Sequence, residues 1–106
     1  MSKIQLSEIE TQIVEQAFQT AYQRETSALI AHVRDRSATI DKLSDLWYLH
    51  DLLSTKRHEI DGKYDFDENS FVFDFASLIK EGWLRLEDLQ GLNKTILSKI
   101  SALSRM

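Results

Sequence analysis

The sequence predicts an all-α fold: two long helices followed by a small C-terminal helical cap, in a single domain over residues 1–106. Three observations carry this. Apolar residues recur at helical intervals over most of the chain rather than in alternation. Proline is absent, so no helix interior lacks an amide donor. Only 3 glycines occur, and two of them, Gly62 and Gly82, fall where helical patterns stop.

Ser7, Glu8, Ile9 and Glu10 have capping-box spacing, in which hydroxyl and carboxylate satisfy each other's amide donors. From there Ile9, Ile13, Ala17, Phe18, Ala21, Ala28, Leu29 and Val33 recur at helical spacing, which predicts one helix from Ser7 to Asp35. The pattern weakens at Arg36 and Ser37, where a break or bend is placed. A second helix is predicted from Ile40 to Asp61, with Gly62 as its left-handed stop. Lys63 to Ser70 reads as a polar loop. Phe71 to Phe75 alternates like a strand, yet Phe71, Val72, Phe75, Leu78 and Ile79 also fit one helical face ending at Gly82. A lone strand would have nothing to pair with, which favours helix. A short turn over Leu86 to Leu89 follows, then a helix with Asn93 as N-cap and Ile96, Leu97, Ile100 and Leu103 on one face. The expected layout is an extended long-helix part over residues 7–61 and a compact cap over residues 70–104.

A chain of 106 residues hides about two-thirds of its unfolded surface, and long helices leave apolar seams for a partner to cover. The formal net charge of −4 argues against a nucleic-acid binder and gives no pull toward an anionic membrane. With no cysteine, disulfides, thiolate zinc sites and cysteine nucleophiles are excluded. The apolar runs are far shorter than the roughly 18 residues that span a bilayer. Met1 to Gln5 lacks the apolar core of a secretory signal, so an intracellular protein is expected.

The second helix has two faces. Leu46, Leu49, Leu53 and Ile60, flanked by Leu52, make a packing seam. Roughly a third of a turn away gather Leu43, Trp47, His50, Asp51, Ser54, Arg57, His58 and Asp61. An ordinary solvated face would carry mixed Lys and Glu there. Trp offers a large apolar face with an indole donor, Arg a planar fork matched to carboxylates, and both are enriched among residues that dominate interface energy. Asp51 could steady Arg57 or accept from a partner. Periodicity alone leaves a second reading open, in which Trp47 is a core residue against the first helix or under the cap. A stripe partly covered in a homodimer lies between the two.

Sharper chemistries fail on geometry. His50 and His58 are two turns apart, about 12 Å along the axis, too far for one metal ion. Asp65, Asp67 and Asn69 copy the opening of a calcium loop, but Ser70 stands where glycine is needed and Ala76 where a glutamate belongs. No glycine-rich phosphate loop or nucleophile elbow is present. His50 and Asp51, adjacent on a helix, should point about 100° apart, and no third catalytic partner is visible. No catalytic residue, metal or cofactor is therefore expected. Phe73 points away from the Phe71/Phe75/Leu78 stripe; it is either a second contact site or covered by the long helices, the commoner outcome.

The run Asp45-Leu46-Trp47-Tyr48-Leu49-His50-Asp51-Leu52-Leu53-Ser54-Thr55-Lys56-Arg57-His58-Glu59-Ile60-Asp61-Gly62-Lys63-Tyr64-Asp65 closely resembles the central segment of the cyanobacterial fluorescence recovery proteins. Ala21 to Glu25 upstream and Glu81-Gly82 downstream resemble the family too. The likeness covers residues 15–103 and is weakest before Thr11 and across Asp65 to Asp74. It implies an all-helical homodimer without pigment, able to change oligomeric state. The implied partner is the light-activated red form of the orange carotenoid protein, bound mainly through its C-terminal domain. Binding would speed return to the orange form and detachment from the phycobilisome, ending fluorescence quenching. The family's functional patch falls on Trp47, His50, Asp51 and Arg57, and its dimer contact on the seam of Leu46, Leu49 and Leu53. The resemblance also implies a cytoplasmic location near the cytoplasmic face of the thylakoid membrane. Apart from it, the residues are equally compatible with a dimeric helical adaptor for another protein; a small histidine-dependent enzyme is a remoter third class.

Overall fold

The computed structural model describes residues 5–106. Met1 to Ile4, most of the stretch read as lacking a secretory signal, lie outside the described residues. The elements are α1 (Glu8–Ser37), α2 (Leu43–Ile60), α3 (Phe71–Glu81), a 3-10 turn (Leu86–Leu89) and α4 (Lys94–Ser104). No strand is found among the described residues, so Phe71 to Phe75 is helical and the alternation there is incidental.

The predicted caps form. The Ser7 hydroxyl accepts from the Glu10 amide at 3.1 Å and the Glu10 carboxylate accepts from the Ser7 amide at 3.1 Å. The second carboxylate oxygen of Glu10 accepts from the Asn93 backbone and side-chain amides at 3.0 and 3.2 Å, while Asn93 Oδ1 caps α4 by accepting from the Ile96 amide. One glutamate therefore ties the start of the first helix to the start of the last. Gly62 (φ 77°) and Gly82 (φ 91°) adopt the left-handed turns expected of them. Beyond Gly82 the Trp83 amide reaches back to the Leu78 carbonyl at 2.9 Å, closing α3. Two boundaries differ from expectation. α1 runs on to Ser37, and α2 begins at Leu43 instead of Ile40, because the Asp45 carboxylate accepts from the Asp41 and Lys42 amides and fixes the first turn there.

The core is a head built from the first half of α1 and everything after Ser70. Val14, Ala17, Phe18 and Ala21 pack with Phe71, Val72, Phe75, Leu78, Leu84, Leu89, Leu92, Ile96 and Ile100. Phe18, Phe66, Phe71 and Phe75 form a connected ring cluster, with Phe18 and Phe75 centroids 4.6 Å apart. Ile9, expected on the packing face, is exposed: the buried stripe runs through Val14 instead, and Ile9 lies off it. Gly91 stands at a φ of 108°, a backbone conformation that L side chains rarely adopt, and a Cβ there would also make the end of the Ile13 side chain shift.

Past Glu25, α1 leaves the head and α2 folds back beside it, making a two-helix arm. The molecule is correspondingly elongated, 54 × 26 × 26 Å with a radius of gyration of 16.9 Å, against about 13 Å for a compact chain of 100 residues. The arm is thinly packed: α2 buries none of its side chains.

A candidate docking face on the second helix

A helix of 18 residues with no buried side chain is held by something other than its own core. At the tip of the arm the Arg36 guanidinium sits 4.4 Å from the centroid of the Tyr48 ring. Between the helices, Leu29, Leu53, Arg57, Ile60 and Asp61 line a shallow groove of about 410 Å³. The leucine seam is thus not consumed within the chain. Leu46 and Leu53 stay exposed and Leu49 and Leu52 half-buried, next to exposed Leu43.

The polar stripe is equally open. Trp47 is 56% exposed, so within the chain it is not the core residue that periodicity also allowed. Its indole meets the His50 ring edge to face, with centroids 6.3 Å apart. His50 Nδ1 lies 3.2 Å from Asp51 Oδ1, which corrects the expectation that adjacent residues would diverge. The Cα–Cβ bonds do diverge, but side-chain torsions close the gap. Both side chains are well exposed, so the pair sits in solvent rather than in a closed site. Among the described residues Asp51 pairs with His50 and not with Arg57. Arg57 instead rims the groove beside Leu53 and Ile60. Trp47, His50, Asp51 and Arg57 therefore lie together on one exposed helix.

Phe73 is 60% exposed on the outer side of α3. The commoner outcome for such a residue, cover from the long helices, does not form, because the arm is directed away from the head. Among the described residues no group of three His, Cys, Asp or Glu could hold a metal ion. No described helix is long and apolar enough to cross a membrane.

The sequence reading missed two groups. Tyr48, stacked under Arg36, was hidden in the helical run. The other is a charged cluster at the neck. Glu25 is buried, and its Oε1 accepts from Lys63 Nζ at 2.8 Å and from the Tyr64 hydroxyl; Lys63 also reaches Glu81 at 2.6 Å. Burial works to raise the Glu25 pKa, but the Lys63 ammonium and the Tyr64 hydroxyl outweigh it and hold the carboxyl below its ordinary value. Burial works to lower the Lys63 pKa, and Glu25 and Glu81 more than reverse that. Burial and the Glu25 carboxylate both push the Tyr64 hydroxyl up. The signal was present: Glu25 stands seven residues after Phe18, on the stripe that α1 buries. On the same helix Arg24 grips Asp88 with two bonds, 2.7 and 3.2 Å, and donates to the Trp83 carbonyl at 3.1 Å.

Comparison with known proteins identifies a family and a shared fold. A family model described as photoprotection regulator fluorescence recovery protein matches residues 6–104. The fluorescence recovery protein of Synechocystis sp. PCC 6803 is 48% identical over 100 residues, which is 94% of this chain and 92% of that protein. The solved structure of the Fremyella diplosiphon fluorescence recovery protein superposes with a TM-score of 0.91 at 53% identity, covering 96% of this chain and 100% of the other. The solved Synechocystis sp. PCC 6803 structure gives 0.92 at 47% identity, with the same coverage.

Proposed function

We propose a docking role for the arm from one premise: the chain belongs to the fluorescence recovery protein family, whose members regulate photoprotection. The protein is a non-enzymatic regulator that binds the light-activated red form of the orange carotenoid protein, through that partner's C-terminal domain. It accelerates reversion to the orange form and detachment from the phycobilisome, and so ends quenching. The carrying observation is that α2 buries none of its side chains while displaying Trp47, His50, Asp51 and Arg57.

The two faces of α2 divide the work. A second copy of the chain covers Leu46, Leu49 and Leu53; Leu46 and Leu53 are exposed in the single chain and Leu49 is half-buried, which is hard to reconcile with a stable isolated arm. Two-fold symmetry then presents the Trp47 stripe twice. The partner's surface packs on the Trp47 indole and supplies a carboxylate to the Arg57 fork, while His50 and Asp51 complete the polar rim. Phe73, on the head, is a secondary contact.

Acceleration needs more than affinity. A protein that bound the red and orange forms with different strength would move the equilibrium between them but not necessarily the rate. The rate rises only when the state between them is bound tighter still, each 1.36 kcal/mol giving about tenfold. A dimer that holds the separated domains of its partner near each other meets this requirement, because reunion becomes effectively intramolecular. The binding half of this proposal is tested by size-exclusion chromatography of the mixture under actinic light and in darkness. A complex in the light that is weaker or absent in the dark supports it. Equal binding in both, or none, overturns it.

A further inference from the structure

The buried carboxylate of Glu25 has no place in the docking face, yet it is 5% exposed, and the other buried residues among those described are apolar. Burying a charge is favourable only when it is paired and hydrogen-bonded. Glu25 is: Lys63 Nζ and the Tyr64 hydroxyl both donate to its Oε1. Lys63 then continues to Glu81 on α3, and Tyr64 packs edge to face on Tyr22 of α1, centroids 5.5 Å apart. Gly62, at φ 77°, turns the chain inward so that Lys63, three residues beyond the end of α2, can reach both carboxylates. The end of α2 is thereby fastened to α1 and α3 together, at the junction of arm and head.

Within the single chain, the half-buried Leu49, Leu52, Lys56 and Ile60 are the other contacts that bear on the pose of α2. It buries no side chain, and its far end is held by Arg36 over Tyr48. Between these fastenings lies the open groove beside Arg57, and at the neck a cavity of about 150 Å³ among Glu25, Ala28, Leu29, His32, Lys56, Ile60 and Trp83. A helix over such voids can tilt or roll at small cost unless its ends are pinned. We infer that Glu25 and Lys63 are positioning residues for the docking helix, fixing its tilt and roll relative to the head through the bridge to Glu81. Arg57 is six residues before Lys63, so its direction follows directly from where Lys63 is anchored. This rests on the reading of the Trp47 stripe as the docking face.

The test uses the full chain, which has no cysteine, with nitroxide labels at Thr55→Cys on α2 and Ser98→Cys on α4, spin-diluted with unlabelled chain. In the parent protein the α2-to-head distance distribution is narrow. Lys63→Met should broaden it, and the unlabelled variant should bind photoconverted carotenoid protein about tenfold more weakly, a typical size for coupling through a shared network. Lys63→Arg, which keeps the cation and its reach, should restore both. If Lys63→Met fails to fold, the double variant Glu25→Gln/Lys63→Met, which leaves no unpaired buried charge, takes its place with the same expectation. A distribution as narrow in the variant as in the parent overturns the positioning role, as does a broadened one with unchanged affinity. A parent protein that binds no carotenoid protein at all sinks the docking reading, and the distance measurement still decides whether Lys63 fixes α2.

Discussion

Trp47 and His50 meet edge to face, ring planes at 87°, on a helix whose every side chain is reachable from solvent. The contact is made entirely within α2, between residues three apart. It is also independent of the core, which lies in the head. That separation of recognition from folding makes the first prediction sharp.

Trp47→Ala and Arg57→Leu should leave helical content and the cooperative unfolding of the head intact, with stability changes within about 0.5 kcal/mol, as for surface sites. Affinity for the red carotenoid protein should fall by about 2–4 kcal/mol for each, as at an interface hot spot. Circular dichroism and a binding titration check the two halves separately. Loss of fold in both variants would return Trp47 to a structural role.

The leucine seam predicts a dimer that a single charge can break. Leu46→Lys places an ammonium in the seam twice, once per protomer. Each lost leucine contact is worth about 1.5–3 kcal/mol, so the dimer dissociation constant should rise by at least about 100-fold. Sedimentation velocity at micromolar concentration should show monomers with parent-like helicity. A dimer of undiminished affinity would place the interface elsewhere.

Phe73 and Phe75 are two residues apart on α3, one exposed and one with no accessible surface. Phe75→Ala opens a cavity against Phe18 and Phe71 and should destabilise by about 3–5 kcal/mol. Phe73→Ala should change stability by less than about 0.5 kcal/mol while weakening partner binding modestly. Denaturant titrations of both variants, followed by the same binding assay, check this.

Acid should loosen the neck and the head together. Arg24 and the Arg85 amide hold the Asp88 carboxyl below its ordinary value, and Lys63 and Tyr64 do the same for Glu25 against its burial. Lowered folded-state pKa values mean stability that is present above the ordinary carboxylate range, about 4, and lost as pH falls below it. Asp74, raised by burial, runs the other way and offsets part of this. Raised Lys63 and Tyr64 values add stability that is present at neutral pH and lost only above about pH 10. The melting temperature should therefore be flat near neutrality and fall below about pH 4, and Asp88→Asn should make that fall shallower from a lower plateau. A wild-type melting temperature that rose on acidification would contradict the assignment.

Much of this fold is legible in the sequence because its punctuation is local. Ser7 with Glu10, Asn93, Gly62 and Gly82 each mark a helix end through bonds made within a few residues. What they cannot reveal is long-range sharing, such as Glu10 serving both α1 and α4, or Lys63 joining α1 to α3. The face of α2 was separable into seam and stripe by spacing alone. Whether Trp47 was buried was not, because period 3.6 fixes direction but not what lies in that direction. Glu25 shows the converse: its place on a buried stripe was readable, but its partners lie 38 and 39 residues away, on a loop that periodicity cannot place.

The central claim is kinetic, and the dark decay of the red absorbance of photoconverted orange carotenoid protein, at fixed concentration with and without this protein, tests it most directly. The account predicts a recovery rate that rises with added protein at substoichiometric amounts and returns to the spontaneous rate with Arg57→Leu. A rate unchanged by the wild-type chain, at concentrations where the complex forms, would contradict it.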